Sequence, residues 1–141
     1  MTLRIREDTL ARIHSHGEAS YPDEGAGFLL GVDGTERVII EFMPLANAGV
    51  SGGRRKRFLI KPEDYMRAEL AAERRHLDLV GVFHSHPDHA SSPSDYDKEW
   101  AQPFFSYVIT RVAAGKAIES KSWRLAEDRS RLVEEDLGII D

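Results

Sequence analysis

Apolar residues recur at two different periods along the chain, and the switches between them outline its elements. From Asp8 onward, Leu10, Ile13 and Ala19 fall at roughly helical intervals behind an acidic start, until Tyr21-Pro22 breaks the pattern. This spacing predicts a helix over 7–19. Ala26-Gly27-Phe28-Leu29-Leu30-Gly31-Val32 is a short apolar run closed by Asp33-Gly34, a tight-turn signal that leads into Thr35–Phe42 and implies two antiparallel strands. Between Asn47 and Phe58 the chain is rich in glycine and positive charge and reads as a surface loop; Phe58-Leu59-Ile60 then reads as a strand. Pro62 at a first helical position, with Glu63 and Asp64 behind it, opens a second helix to about His76, along which Met66, Leu70 and Leu77 recur.

Leu79-Val80-Gly81-Val82-Phe83 is continuously apolar, as expected of a strand in the middle of a sheet, and it runs directly into His84-Ser85-His86-Pro87. After a polar loop, Ser94 with Asp97 three residues on has the form of a helix cap, opening a short helix that ends near Gln102-Pro103. Strands return over Ser106–Ala113 and Lys116–Ala126 around a turn at Ala114-Gly115, and Val133 to Ile140 reads as an edge strand or tail. The order of elements predicts an α/β (α+β) chain with a central mixed, mostly antiparallel sheet flanked by helices.

The sequence has 141 residues, without repeat or low-complexity tract, and reads as a single domain over 1–141. A chain of that length removes about 68% of its unfolded surface from water, enough for its own core. Hydrophobic residues make up 41% and charged residues 30%, and no apolar run approaches the roughly 20 residues that cross a bilayer, which argues against a membrane partner. A net charge of −5 gathers no nucleic acid. The beginning of the chain lacks the apolar stretch of a signal peptide, so the expected location is the cytoplasm. There is no cysteine, so any transition metal must be held by His, Asp or Glu.

Side chains two apart on a strand point to the same side, so His84 and His86 project together from a strand end. Neutral imidazoles suit zinc, and a carboxylate from the following helix would make a third ligand, leaving a fourth position for water. Asp97 is the natural candidate, although spacing alone does not separate it from Asp95 or Asp88. Plainer readings stand beside this one. The histidines fit two partly exposed side chains, Ser94 and Asp97 fit a capping box, and Glu24, between Pro22 and Gly25, fits a solvated loop residue. His89 fits an exposed loop residue or a support for a ligand, and His14 and His16, two apart on a helix, share no face. His76 near a helix end interacts with the dipole, while Trp100 and Trp123 fit core or subunit contacts.

Taken together, His84-Ser85-His86-Pro87, six residues, Ser94, two residues and Asp97 match the H-x-H-P-x6-S-x2-D pattern of the JAMM (MPN-type, JAB domain) zinc metallopeptidases. Glu24-Gly25-Ala26-Gly27-Phe28-Leu29-Leu30-Gly31 resembles that family's first-strand segment, in which the catalytic glutamate precedes a glycine. Many bacterial members carry cysteine just after that glutamate, where this chain has Gly25 and Ala26. The resemblance implies a JAMM/MPN, cytidine-deaminase-like fold, with His84, His86 and Asp97 binding Zn2+ and Glu24 as general acid/base. Ser94 would stabilise the oxyanion. Two neutral histidines and one aspartate leave such a site at +1 and suited to hydrolysis rather than redox chemistry.

Compact bacterial members resemble enzymes that cut the peptide or isopeptide bond after the Gly-Gly tail of a ubiquitin-like or small sulfur-carrier protein. Such a tail is thin enough to lie extended beside a sheet edge. The loop at 48–57 would flank it, with Arg54-Arg55-Lys56-Arg57 meeting acidic carrier residues unless the run is simply solvated. A metallopeptidase acting on a small peptide or modified amino acid, a non-catalytic scaffold of the same fold, and a metal-free interaction domain are the alternatives. A homodimer is a further expectation, with Trp100 and Trp123 as candidate subunit contacts.

Overall fold

The computed structural model describes residues 2–46 and 59–141. The basic run and the loop around it lie outside the described residues, as does Phe58. The elements are β1 (Thr2–Arg6), α1 (Glu7–Ser20), β2 (Ala26–Val32), β3 (Arg37–Leu45), α2 (Pro62–Arg74), β4 (Asp78–Pro87), α3 (Asp95–Trp100), β5 (Ser106–Ala113), β6 (Lys116–Leu125) and β7 (Leu132–Ile140).

The chain is α+β and its sheet is mixed. Four pairings are antiparallel (β2/β3, β2/β4, β5/β6 and β6/β7) and three parallel (β1/β3, β1/β7 and β4/β5). The sheet is not an open one with helices on its faces: it closes in the order β1-β3-β2-β4-β5-β6-β7. Closure depends on two elements at opposite ends of the chain. β1, in which buried Leu3 and Ile5 alternate with Thr2, Arg4 and Arg6, pairs in parallel with β7 over Thr2–Arg6 against Asp136–Ile140. β7 is therefore a closing strand, not an edge or tail.

α1 touches β1, β3, β4, β5 and β6, so the sheet wraps around it. Its buried positions are Thr9, Leu10, Ile13 and Gly17; Ala19 is exposed. Leu10 and Ile13 join Leu3, Ile5, Leu29, Ile39, Phe42, Val80, Phe83 and Val108 in one core. A second core lies under α2, where Ala68 and Ala72 face Phe28, Leu30, Leu79, Val82 and Tyr107. The expected stripe of α2 is thus rotated: Met66 and Leu70 are 64% and 47% exposed, and the small alanines face inward because they let the helix lie close on β2 and β4. Leu59 and Ile60 form no strand; both line the cavity beside α2.

One end of the barrel is tied by charge. Arg37, 1% exposed, donates Nη1–H to the carbonyls of Val80 and Phe104 and to Ser106 Oγ, and its Nε–H reaches Asp33. Ser106 and Ser122 both donate to Glu135 Oε2, and Arg124 pairs with Glu135 Oε1 at 2.9 Å. No helix among the described residues is long and apolar enough to cross a membrane.

Candidate metal centre

β4 carries the site. From Leu79 to Pro87 every residue is buried, and the strand is paired on both sides, antiparallel to β2 and parallel to β5. Gly81 is required for that close packing, since a Cβ there would sit 2.3 Å from the Ser106 carbonyl oxygen. The β5 pairing runs to Pro87 and the β2 pairing to His84, so His84 is held on both flanks and His86 on one, at 1% and 6% exposure. Their ring centroids are 4.9 Å apart and their Nε2 atoms 3.1 Å apart.

Asp97 completes the group. Its Oδ1 lies 3.0 Å from His84 Nε2 and its Oδ2 2.9 Å from His86 Nε2. The capping and ligand readings of Ser94 and Asp97 turn out to be compatible. Ser94 caps α3, its Oγ accepting Asp97 N–H at 3.1 Å, while Asp97 Oδ2 accepts Ser94 N–H at 2.9 Å. The capping box fixes the rotamer that presents Asp97 to the two rings. The other two carboxylates considered lie outside the group: Asp95 is exposed in the first turn of α3, and Asp88 accepts Tyr21 O–H and Ala114 N–H.

His86 is oriented from behind. Its Nδ1 is 2.7 Å from the Ala90 carbonyl oxygen, an acceptor only, so Nδ1 carries the proton and a neutral ring presents its lone pair at Nε2. That lone pair faces an anionic oxygen and a second ring nitrogen inside a buried site. Such a convergence of electron pairs is repulsive unless a cation or additional protons lie among them, so the donor set fits a divalent metal ion. His84, His86 and Asp97 offer ligand atoms within 4.8 Å of one another, and all three are buried.

Without metal, protons take that part. Burial alone would raise the Asp97 carboxyl, but hydrogen bonds from both rings, the His84 charge and the Ser94 N–H hold it well below the usual carboxylate range. Burial works against charging His86, yet the bonds to Asp97 and Ala90, with the charges of Asp97 and Glu24, raise its pKa above the ordinary imidazole value.

Glu24 is half-buried just before β2, near enough for its charge to act on His86. The contact that holds it there is one the spacing of the candidate ligands does not point to. Ser85, whose side chain points away from the two histidines, accepts Gly25 N–H on its Oγ at 2.7 Å and donates its own N–H to the Gly25 carbonyl at 2.9 Å. A Cβ at Gly25 would lie 2.8 Å from Ser20 Oγ and 3.3 Å from Ser85 Oγ, so the close tie favours glycine. The intervening serine of the His-Ser-His run, on the opposite side of the strand, was the available signal for this contact.

The other histidines serve elsewhere. His14 bonds Ser120 Oγ, His16 the Ala26 carbonyl, His89 is exposed, and His76 lies in the left-handed region beyond α2. Trp123 packs against the α2 core. Trp100 is not a core residue: it is 61% exposed and, with Tyr65, Tyr96 and Phe105, lines a cavity of about 460 Å³ whose wall includes His84 and Asp97.

Residues 6–126 match the family described as prokaryotic homologs of the JAB domain. The chain belongs to the JAB-domain family. Among curated relatives, a probable TtuB-protein conjugate cleaving protease of Thermus thermophilus is 32% identical over 77% of this chain and 70% of its own length. Tail tip assembly protein K of Escherichia phage N15 is 33% identical over 67% of this chain but 34% of its own. The 26S proteasome regulatory subunit RPN11 of Encephalitozoon cuniculi is 28% identical over 99% of this chain and 48% of its own. This JAB-domain chain thus spans half or less of the phage and proteasome relatives.

Solved structures agree on the fold. A protein from Salinibacter ruber superposes with a TM-score of 0.76 at 39% identity, covering 98% of this chain and 92% of the other. A JAB1/MPN domain protein from Archaeoglobus fulgidus gives 0.62 at 18% identity, covering 99% and 97%.

Proposed function

We propose that this protein is a zinc-dependent hydrolase, a single JAMM/MPN-type domain that cuts a peptide or isopeptide bond after the C-terminal Gly-Gly of a ubiquitin-like or sulfur-carrier protein in the cytoplasm. The observation that carries the reading is the buried convergence of His84, His86 and Asp97, with His86 held in the tautomer that leaves Nε2 available. The conjugate-cleaving Thermus relative supports the substrate class.

In this reading His84 Nε2, His86 Nε2 and a carboxylate oxygen of Asp97 hold the zinc. Zinc bound there supplies Lewis acidity, polarising a carbonyl oxygen and lowering the pKa of a water molecule to about 7. Glu24 would take a proton from the attacking water as the water oxygen bonds to the carbonyl carbon. The same carboxyl group then gives the proton to the departing nitrogen as the C–N bond breaks. Ser94 Oγ already accepts from Asp97 N–H, which leaves its own proton to donate to the oxyanion.

Along β4 the β2 pairing ends at His84 while the β5 pairing runs on to Pro87, which leaves a sheet edge for an extended tail beside His86 and Pro87. The aromatic cavity beside His84 and Asp97 is the alternative place for the acyl part of the substrate, and its size favours the second reading, a small peptide or modified amino acid with a bulky side chain.

Metal content and hydrolysis of a carrier–amino-acid conjugate, measured for wild type and Glu24→Gln, test the proposal. Metal in both with turnover only in wild type supports it. Glu24→Gln cleaving at the wild-type rate rejects the assigned acid/base. Metal in wild type without turnover of conjugates or peptides favours a scaffold.

A further inference from the structure

The loop between His86 and Asp97 contains a polar residue, Ser91, that is 1% exposed and has no part in the reaction described above. A serine buried in a loop must have its polar atoms satisfied, and both ends of Ser91 are satisfied by β6. Its hydroxyl donates to Glu119 Oε1, and its carbonyl accepts the indole Nε1–H of Trp123 at 3.0 Å. Glu119 and Trp123 are four residues apart on one strand and so share a face.

The carbonyl of Ala90 and the nitrogen of Ser91 belong to one planar peptide unit. Holding Ser91 at its side chain and at its carbonyl fixes the direction in which the Ala90 carbonyl points. That carbonyl is the acceptor for His86 Nδ1–H at 2.7 Å. We propose that Ser91, Glu119 and Trp123 form a positioning brace, which aims the Ala90 carbonyl at His86 and so keeps the His86 Nε2 lone pair turned toward the metal.

The proposal rests on the metal-centre reading, and none of the three residues touches the ion. Freed from the brace, the Ala90 carbonyl swings away and the His86 ring gains access to the other tautomer, with a proton on Nε2 and no lone pair there for a metal. Loss of the hydrogen-bond partner behind a ligating histidine typically costs 10–100-fold in metal affinity.

The test compares wild type with Ser91→Ala, Glu119→Ala, Glu119→Gln and Trp123→Phe. Zinc affinity is read by competition with a chromophoric chelator, ligand geometry by the visible spectrum of the cobalt-substituted protein, and fold stability by thermal unfolding of the metal-free protein. Ser91→Ala and Glu119→Ala are expected to weaken zinc by about 10–100-fold and to change the cobalt bands. Glu119→Gln, whose amide oxygen still accepts the serine proton, is expected to restore both, and Trp123→Phe to weaken zinc by losing only the indole N–H. Glu119 is exposed, so its variants fold even where Ser91→Ala does not. Wild-type affinity and spectrum in Glu119→Ala and Trp123→Phe would overturn the brace while leaving the metal centre intact. A wild-type protein that binds no metal would overturn both.

Discussion

Ser85 and Gly25 exchange two hydrogen bonds, Gly25 N–H to Ser85 Oγ at 2.7 Å and Ser85 N–H to the Gly25 carbonyl at 2.9 Å. This pair joins the strand that bears His84 and His86 to the residue next to Glu24, so the proposed proton carrier and the candidate ligands share one support.

Ser85→Ala removes the acceptor of a buried N–H. The expected cost is about 1–3 kcal/mol of stability, seen as a lower denaturant midpoint. Zinc content is expected to stay at the wild-type level, while turnover falls by as much as ~100-fold, the order expected when a catalytic group moves by about 1 Å. Loss of metal together with activity would show that Ser85 supports the ligands and not Glu24.

The pH dependence of the metal-free protein follows from two opposite shifts. Asp97 has a folded pKa below its unfolded value, so its contribution is present above about pH 4 and is lost as pH falls through the folded value. His86 has a folded pKa above its unfolded value, so its contribution is full below about pH 6.5 and is lost as pH rises through the folded value. The stability difference between wild type and Asp97→Asn, both stripped of metal, is therefore expected to be larger at pH 5.5 than at pH 8.5. With zinc the order reverses, because the metal replaces those protons. Chemical denaturation at the two pH values checks both signs.

Glu135 tests the barrel separately from the site. It is 6% exposed and binds Arg124, Ser106 and Ser122, so Glu135→Ala leaves a mostly buried guanidinium and two hydroxyls without their acceptor. The expected loss is about 3–5 kcal/mol, with zinc affinity of the folded protein unchanged. A neutral effect on unfolding would mean that the network does not hold β5, β6 and β7 together.

The parts of the fold that local pattern can specify were legible in the sequence. β2 spans Ala26–Val32 as its apolar run predicts, and Ser94 caps a helix as its spacing to Asp97 predicts. The candidate ligands were visible for the same reason, since two positions on one strand and a cap three residues from a carboxylate are short-range facts. What escaped was long-range. β1 closes the barrel by pairing with β7 at the other end of the chain, Arg37 is held in a socket assembled from Val80, Phe104 and Ser106, and Gly25, beside Glu24, is tied to a serine sixty residues away. The α2 stripe was misread because exposed Met66 and Leu70 carry more hydrophobicity than the alanines that face the core.

Zinc stoichiometry in wild type and in His84→Ala, measured on protein purified alike and dialysed against the same weak chelator, is the most direct test of the account. About one zinc per chain in wild type is expected under the tetrahedral-site argument, with near-complete loss when one of three protein ligands is removed. Stoichiometric zinc retained by His84→Ala would contradict it.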